Sequence, residues 1–257
     1  MASGLSIRNL FKEYPGPSRS SAAQVVLSGL NLDVPAGSFV SIVGLNGSGK
    51  TTLLRIIAGL EPATSGDIRI NGAPPDLSRK AIGMVSQELA LLPWRTTYEN
   101  VALPLELRCM GDKERHARVM RILRVFGLGG CSAQYPRALS GGMRQKVAIA
   151  RALVAEPDML LMDEPFSALD CQIRLQLQRF LTELWMQRRD TILFVTHDVE
   201  EAVVLSDIVV VISQKPARVI DVISVNLPRL RERATLPVTE LRRRVILALQ
   251  GQGVSGH

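Results

Sequence analysis

The sequence predicts an α/β protein built on a mixed or parallel sheet. Three observations carry that reading. Short apolar runs alternate with longer segments of helical periodicity. A glycine-rich stretch, Gly44–Gly49, sits between an apolar run and a helical one. A second apolar run, Met159–Met162, ends in the adjacent carboxylates Asp163 and Glu164. At 257 residues the chain has room for one large domain, or one domain with a subdomain. A hydrophobic fraction of 46% with 21% charged residues excludes wholesale disorder. No apolar run approaches the roughly 18 residues of a membrane span, the strongest being as short as Ile208–Ile212.

Leu5–Leu10 and Val25–Val34 read as strands around a Pro- and Ser-rich loop at Pro15–Ser21. Phe39–Val43 is a continuous apolar strand, and Thr51–Leu60 after the glycines is a helix. Asp67–Asn71 alternates and ends in Asn71-Gly72, a hairpin-turn pair. Ile82–Val85 is a short strand, and from Thr97 to about Gly127 the pattern is helical and charged, an all-helical insertion. Arg115, Arg118, Arg121 and Arg124 at three-residue spacing read as its solvated face. Met143–Ala155 is a helix, Met159–Met162 a buried strand and Gln172–Arg188 a long helix. Strands Thr191–Thr196 and Ile208–Ser213 flank a short helix at Val199–Leu205, and Leu241–Leu249 reads as a terminal helix.

The stretch from Gly44 to Thr51 fits GxxxxGK[ST], with Asn46, Gly47, Ser48 and Gly49 inside it and Thr52 just after. Glycines let the backbone curl so that successive N–H groups point at phosphate oxygens. The following helix adds its positive N-terminal dipole. Lys50 supplies a full charge to the β- and γ-phosphates, and the Thr51 hydroxyl is placed to ligate Mg²⁺. Asp163 at the end of its strand can hold the same ion through water, and Glu164 can polarise an attacking water as general base. These parts nearly suffice for phosphoryl transfer, which is mostly positioning and charge neutralisation.

Leu139-Ser140-Gly141-Gly142-Met143-Arg144-Gln145, directly before a helix, resembles the signature motif of ATP-binding cassette (ABC) ATPases. The family's other motifs follow in order: Gln87 resembles the Q-loop, Ser167-Ala168-Leu169-Asp170 the D-loop and His197 the switch histidine. Tyr14 resembles the aromatic residue that stacks on adenine, with Phe11 as its competitor. The resemblance implies an α/β P-loop NTPase of ABC ATPase type: a mixed sheet core, an antiparallel β subdomain and an inserted helical subdomain. It places the ATPase domain at about 5–225, the helical subdomain at about 90–155, and a basic tail with a terminal helix at 226–257. It implies ATP and Mg²⁺ as ligands, with Thr51, Gln87 and Asp163 at the metal. On this resemblance Gln87 is expected to sense Mg²⁺ and the attacking water, and His197 to contact the γ-phosphate and hold Glu164. Ser140, Gly141 and Gly142 are expected to face ATP bound to an opposing protomer, with Asp170 acting across the same interface, which implies a head-to-tail homodimer as the active form. Met143 stands where many members carry Gln, a side chain that is not the main phosphate contact.

No heptad run separates Lys50 from Ser140, unlike chromosome-maintenance relatives, and there is one cassette rather than the two of translation-factor relatives. Gln87–Trp94, Asn100–Glu106 and Val225–Arg229 are similar to importer ATPases of the nitrate/sulfonate/taurine group. That likeness implies integral membrane permease partners, indirectly a periplasmic or extracellular solute-binding protein, and a peripheral place on the cytoplasmic face of the cell membrane. Leu91, Leu92 and Trp94 would then line a groove for a permease helix; the alternative packs Trp94 inside the helical insertion. Met1–Leu10 lacks the apolar core of a secretory signal. Cys109, Cys131 and Cys171 form no CxxC and read as reduced thiols.

The net charge is +7. From Gln214 onward eight basic side chains face three acidic ones, so that stretch carries five of the seven charges. A basic tail fits nucleic acid, anionic lipid or a solvated face. Nucleic acid is suggested by nothing else in the chain.

Overall fold

The computed structural model describes residues 3–16, 23–75 and 82–251. The Pro15–Ser21 loop and the end of the basic tail fall largely outside those residues. Among them lie nine strands and seven α-helices: β1 (Ser3–Tyr14), β2 (Gln24–Pro35), β3 (Phe39–Val43), α1 (Lys50–Ile57), β4 (Ser65–Ile70), β5 (Ile82–Val85), α2 (Thr97–Glu106), α3 (Asp112–Val125), α4 (Gly141–Leu153), β6 (Met159–Asp163), α5 (Cys171–Arg188), β7 (Thr191–Thr196), α6 (Val199–Leu205), β8 (Ile208–Ile212), β9 (Val219–Ser224) and α7 (Leu236–Gln250).

Two sheets form. One is antiparallel, in the order β2-β1-β4, and the other has six strands in the order β5-β6-β7-β3-β8-β9. The larger is parallel except for β9, which runs antiparallel to β8. Its central strands are buried on both faces, which is why they read as unbroken apolar runs. Phe39, Leu160, Met162, Ile192 and Phe194 face a core shared with α2, α3, α4 and α5. Val40, Ile42, Met159, Leu161, Leu193 and Val195 face the opposite way, toward α1 and the small sheet. A third cluster joins Val209, Val211 and Ile223 to α6 and to Val238 and Val245 of α7.

Most expected elements are present, with shifted ends. α1 stops at Ile57 because Gly59 takes φ 71° and closes a C-terminal turn: Gly59 N–H donates to Ile56 O (3.0 Å) and Leu60 N–H to Arg55 O (2.9 Å). The helical stretch 97–127 is two helices, broken where Cys109 adopts φ 53°. α2 begins at a complete capping box between Thr96 and Glu99. The Asn71-Gly72 turn forms with both residues at positive φ, but it closes only an isolated Ile70–Ala73 bridge. β1 extends to Tyr14, so Phe11 and Tyr14 lie on the strand rather than after it. β9 was not anticipated, and α7 starts five residues before the expected Leu241.

Trp185 of α5 is 2% exposed. Its Nε1 donates to Asp190 O at 2.9 Å, and its ring meets Phe39 edge-on at 6.2 Å. Arg229 stacks over the ring at 4.2 Å and Arg189 at 4.5 Å. Truncating this residue removes packing, the donor to the Asp190 carbonyl and a cation–π platform together. Trp185→Ala is therefore expected to destabilise the protein by about 3–5 kcal/mol, read as a lowered midpoint in urea unfolding.

Candidate active site

The site is a product of strand register. In the parallel pairing, Val43 at the end of β3 lies beside Thr196 at the end of β7, and Asp163 at the end of β6 lies beside Val195. The residues that follow, Gly44, Glu164 and His197, therefore emerge side by side at the carboxyl rim of three neighbouring strands. That rim is where open α/β sheets hold ligands.

From Gly44 the chain curls into α1. A Cβ on Gly44 would fall 2.8 Å from Ile212 Cγ1, and Gly49, at φ 102°, would bring one 2.9 Å from Val26 Cγ1. Gly49 sits at the N-cap of α1 without a side-chain cap, and the first turn carries no acidic residue. The helix's free N–H groups and positive end are thus left for an external anion. Lys50 is buried, and its ammonium donates to Gly44 O at 2.8 Å and Leu45 O at 3.0 Å. It lies 3.8 Å from Glu164 Oε1. Burial lowers its pKa, against the opposing pull of Glu164 and Asp163.

Glu164 takes φ 43° just past β6, and its N–H donates to Val195 O at 2.9 Å, extending the ladder one residue. Its Oε2 meets His197 Nδ1 at 2.9 Å. Asp163 is buried, and burial raises its pKa, with the Thr51 hydroxyl hydrogen bond acting the other way. Its Oδ1 has no hydrogen-bond partner. An orphaned carboxylate oxygen beside a hydroxyl fits a hard divalent cation, which prefers oxygen ligands. Among the described residues no group of three or more His, Cys, Asp or Glu could hold a metal alone. Such an ion would need further oxygens from a bound ligand.

Lys50, Thr51 and Glu164 border a cavity of about 350 Å³ lined by Asn46–Thr52, Gln87, Glu164 and Lys215, with Gly44, Asp163 and His197 outside its lining. Lys215 was not expected from the sequence. It lies on the Ser213–Arg218 turn after β8, which is closed by Ser213 N–H to Arg218 O at 2.9 Å and tied to β2 by Ala217 N–H to Val26 O at 2.8 Å. No motif marks it; in the sequence it merely follows an apolar strand, and the pairing of that strand with β3 brings it to the cavity.

Other expected residues lie outside this cavity. Ser140 caps α4, its hydroxyl accepting from Met143 N–H at 3.3 Å, and Asp170 caps α5, accepting from Ile173 N–H at 3.0 Å. A Cβ on Gly142 would come 2.7 Å from Ile173 Cγ2, so the two helix starts fit closely together. Tyr14 lies under the Lys12 ammonium at 4.7 Å. Its hydroxyl bonds Glu61, holding that carboxyl below the ordinary range, with Lys12 acting in the same direction. Phe11 pairs with Ser65 on β4. Trp94 is 71% exposed, which removes the alternative that packs it inside the helices; Leu91 and Leu92 are half-buried.

A family model described as ABC transporter matches residues 27–167. The aliphatic sulfonates import ATP-binding protein SsuB of Bacillus cereus is 40% identical over 92% of this chain and 93% of its own length. The nitrate import ATP-binding protein NrtD of Synechocystis sp. is 43% identical over 87% of this chain and 83% of its own. Among solved structures, the ATP-binding cassette MJ0796, a dimer in a post-hydrolysis state bound to ADP and Pi, superposes with a TM-score of 0.75. It is 32% identical, over 87% of this chain and all of that one. With the loop, the Asp163-Glu164 strand end and His197 gathered on one rim, and with relatives of this identity along nearly the whole chain, the protein belongs to the ABC transporter family, as one of its ATP-hydrolysing cassettes.

Proposed function

We propose that this chain is the nucleotide-binding subunit that energises an importer of nitrate, a sulfonate, taurine or a related small solute, hydrolysing Mg²⁺-ATP. The observation that carries the hydrolytic part is the 2.9 Å contact of His197 with Glu164 beside the buried Lys50. Lys50 and the curled N–H groups from Asn46 to Thr52 bind the phosphate chain. On nucleotide binding, the Lys50 ammonium exchanges its loop carbonyls for phosphate oxygens. Thr51, Asp163 and Gln87 would hold Mg²⁺, which would supply charge neutralisation for phosphoryl transfer; the orphaned Asp163 oxygen supports this. Glu164 takes the proton of the attacking water, and His197 holds it in line while touching the γ-phosphate. Tyr14 stacks on adenine, with Phe11 as the other choice.

Ser140, Gly141, Gly142 and Asp170 act on the nucleotide of a second copy. Their place outside the cavity, at helix starts whose first turns lack acidic residues, supports a site completed by a partner. The active form on this reading is a head-to-tail homodimer at the cytoplasmic face of a membrane. A permease helix docks where Leu91, Leu92 and Trp94 stand out from the inserted helical subdomain, at about 90–155. The names of the sulfonate and nitrate relatives support import.

The nucleic-acid reading loses its one support. Arg229 and Arg231 are turned inward onto backbone carbonyls, and Arg233, Arg242 and Arg244 pair with Glu200 or Asp221. Among the described residues, these five arginines are thus engaged within the fold.

Two measurements test the proposal. Glu164→Gln should lower steady-state ATP hydrolysis by about 100-fold or more while keeping ATP-dependent dimers on size-exclusion chromatography with light scattering; wild-type turnover would remove Glu164 as the base. In a Trp185→Phe background Trp94 is the remaining tryptophan. Its emission should be that of water-exposed indole, quenched by acrylamide, and become shielded in a complex with the membrane permease it energises. Unchanged quenching in that complex would place the docking surface elsewhere.

A further inference from the structure

The His197 side chain is about half exposed, at 49%, so its own surroundings do little to fix it. Its backbone, by contrast, is bracketed by a buried polar chain. Thr196, the last residue of β7, is buried. Its hydroxyl donates to Glu201 Oε2 at 2.7 Å and accepts from Asp198 N–H at 3.0 Å, so one side chain holds the residues on both sides of His197. Glu201 is buried in α6, and its Oε1 accepts from Gln178 Nε2 of α5 at 2.8 Å. Gln178, also buried, accepts in turn from the Arg233 guanidinium. Arg233 reaches on to Glu200 at 2.6 Å.

The polarity of this chain is consistent from end to end. Each carboxylate oxygen of Glu201 receives one donor, and the Thr196 hydroxyl donates once and accepts once. Burial pushes the Glu201 carboxyl up, and the Thr196 and Gln178 hydrogen bonds oppose that shift. A buried polar network satisfied in this way fixes geometry more than it adds stability.

The segment after β9 also holds α6 at its other end. Arg231 donates to Val203 O at 2.7 Å and Ser206 O at 2.6 Å, and Arg229 donates to Leu205 O. Guanidinium groups on the last carbonyls of a helix satisfy orphan acceptors and suit its negative end. Arg242 of α7 joins Arg233 on Glu200 at the helix start, at 3.0 Å. The short helix that begins just after His197 is thus tied at both ends to residues 229–242.

We infer that Thr196, Glu201, Gln178 and Arg233 are positioning residues for hydrolysis, fixing His197 against Glu164 from α5 and from the C-terminal segment. The inference rests on the proposed roles of Glu164 and His197. A shift of about 1 Å in a catalytic group can cost on the order of 100-fold in rate, so a loosened His197 should slow the chemical step and leave nucleotide binding alone.

The test compares Thr196→Val, which keeps shape and removes the hydroxyl, with Thr196→Ser, which keeps the hydroxyl. Thr196→Val should lower kcat for ATP about tenfold with KM within about twofold, and Thr196→Ser should restore most of the rate. Arg233→Ala, at a partly exposed side chain, should lower kcat severalfold at unchanged KM and serves if Thr196→Val fails to fold. His197→Ala is measured beside them. If it abolishes turnover while folded Thr196→Val or Arg233→Ala keeps wild-type kcat, the positioning inference is overturned alone. If Thr196→Ser loses as much rate as Thr196→Val, the hydroxyl is not the agent and the inference again fails. If His197→Ala turns over normally, the underlying reading of the site fails instead.

Discussion

The structure depends on the parallel pairing of β6, β7 and β3 with both faces of the sheet covered. Burial on two sides favours apolar side chains along these strands: apart from Ser41, which is hydrogen-bonded to Ser206, their polar residues Asp163, Thr191 and Thr196 lie at strand ends. Polar chemistry is then pushed to the strand ends, where the backbone leaves the sheet. Because the strands are parallel and nearly in step, their ends lie together. One rim collects the phosphate loop, a carboxylate pair and a histidine, groups far apart in the chain. Glu164 shows the coupling directly: its N–H still belongs to the ladder while its side chain reaches His197 and approaches Lys50.

Charge is used locally. Lys50 is the buried cation of the site, held by two loop carbonyls rather than by a tight ion pair. A close carboxylate partner would compete with an incoming phosphate, whereas neutral carbonyls are readily exchanged. The C-terminal arginines have another task. Arg231 alone spans carbonyls of Val203, Ser206, Val225 and Leu227, and Arg229 sits between Asp207 and the Trp185 ring. Desolvation lowers the Arg231 pKa to about 10, which still leaves it charged at neutral pH. The guanidinium fork suits this work because several fixed donors meet several carbonyls at once.

The same arrangement explains which features were legible beforehand. Lys50, Asp163, Glu164 and His197 could be read because each follows an apolar strand whose length and burial are themselves visible as a run. β9 was missed because it is an edge strand with a largely exposed outer face, where the pattern weakens. α7 began earlier than expected because its first turn offers only Val238 to the core. Lys215 was missed for a different reason: it belongs to no motif and enters the cavity only because β8 lies beside β3.

The sequence by itself determined the chemistry of the site. Glycines, a lysine, two carboxylates and a histidine at strand ends specify a phosphate-handling α/β protein, because local steric and electrostatic demands select those residue types. Tertiary structure alone decided what the arginine-rich end does. Eight basic residues against three acidic ones favour a solvated face but leave a polyanion partner open. Which carbonyls and carboxylates meet them depends on how α6, β9 and α7 pack. Composition carries no record of pairings between residues tens of positions apart, so only the folded chain shows Arg231 turned inward onto the last carbonyls of α6 and Arg233 and Arg242 paired with Glu200 at its start.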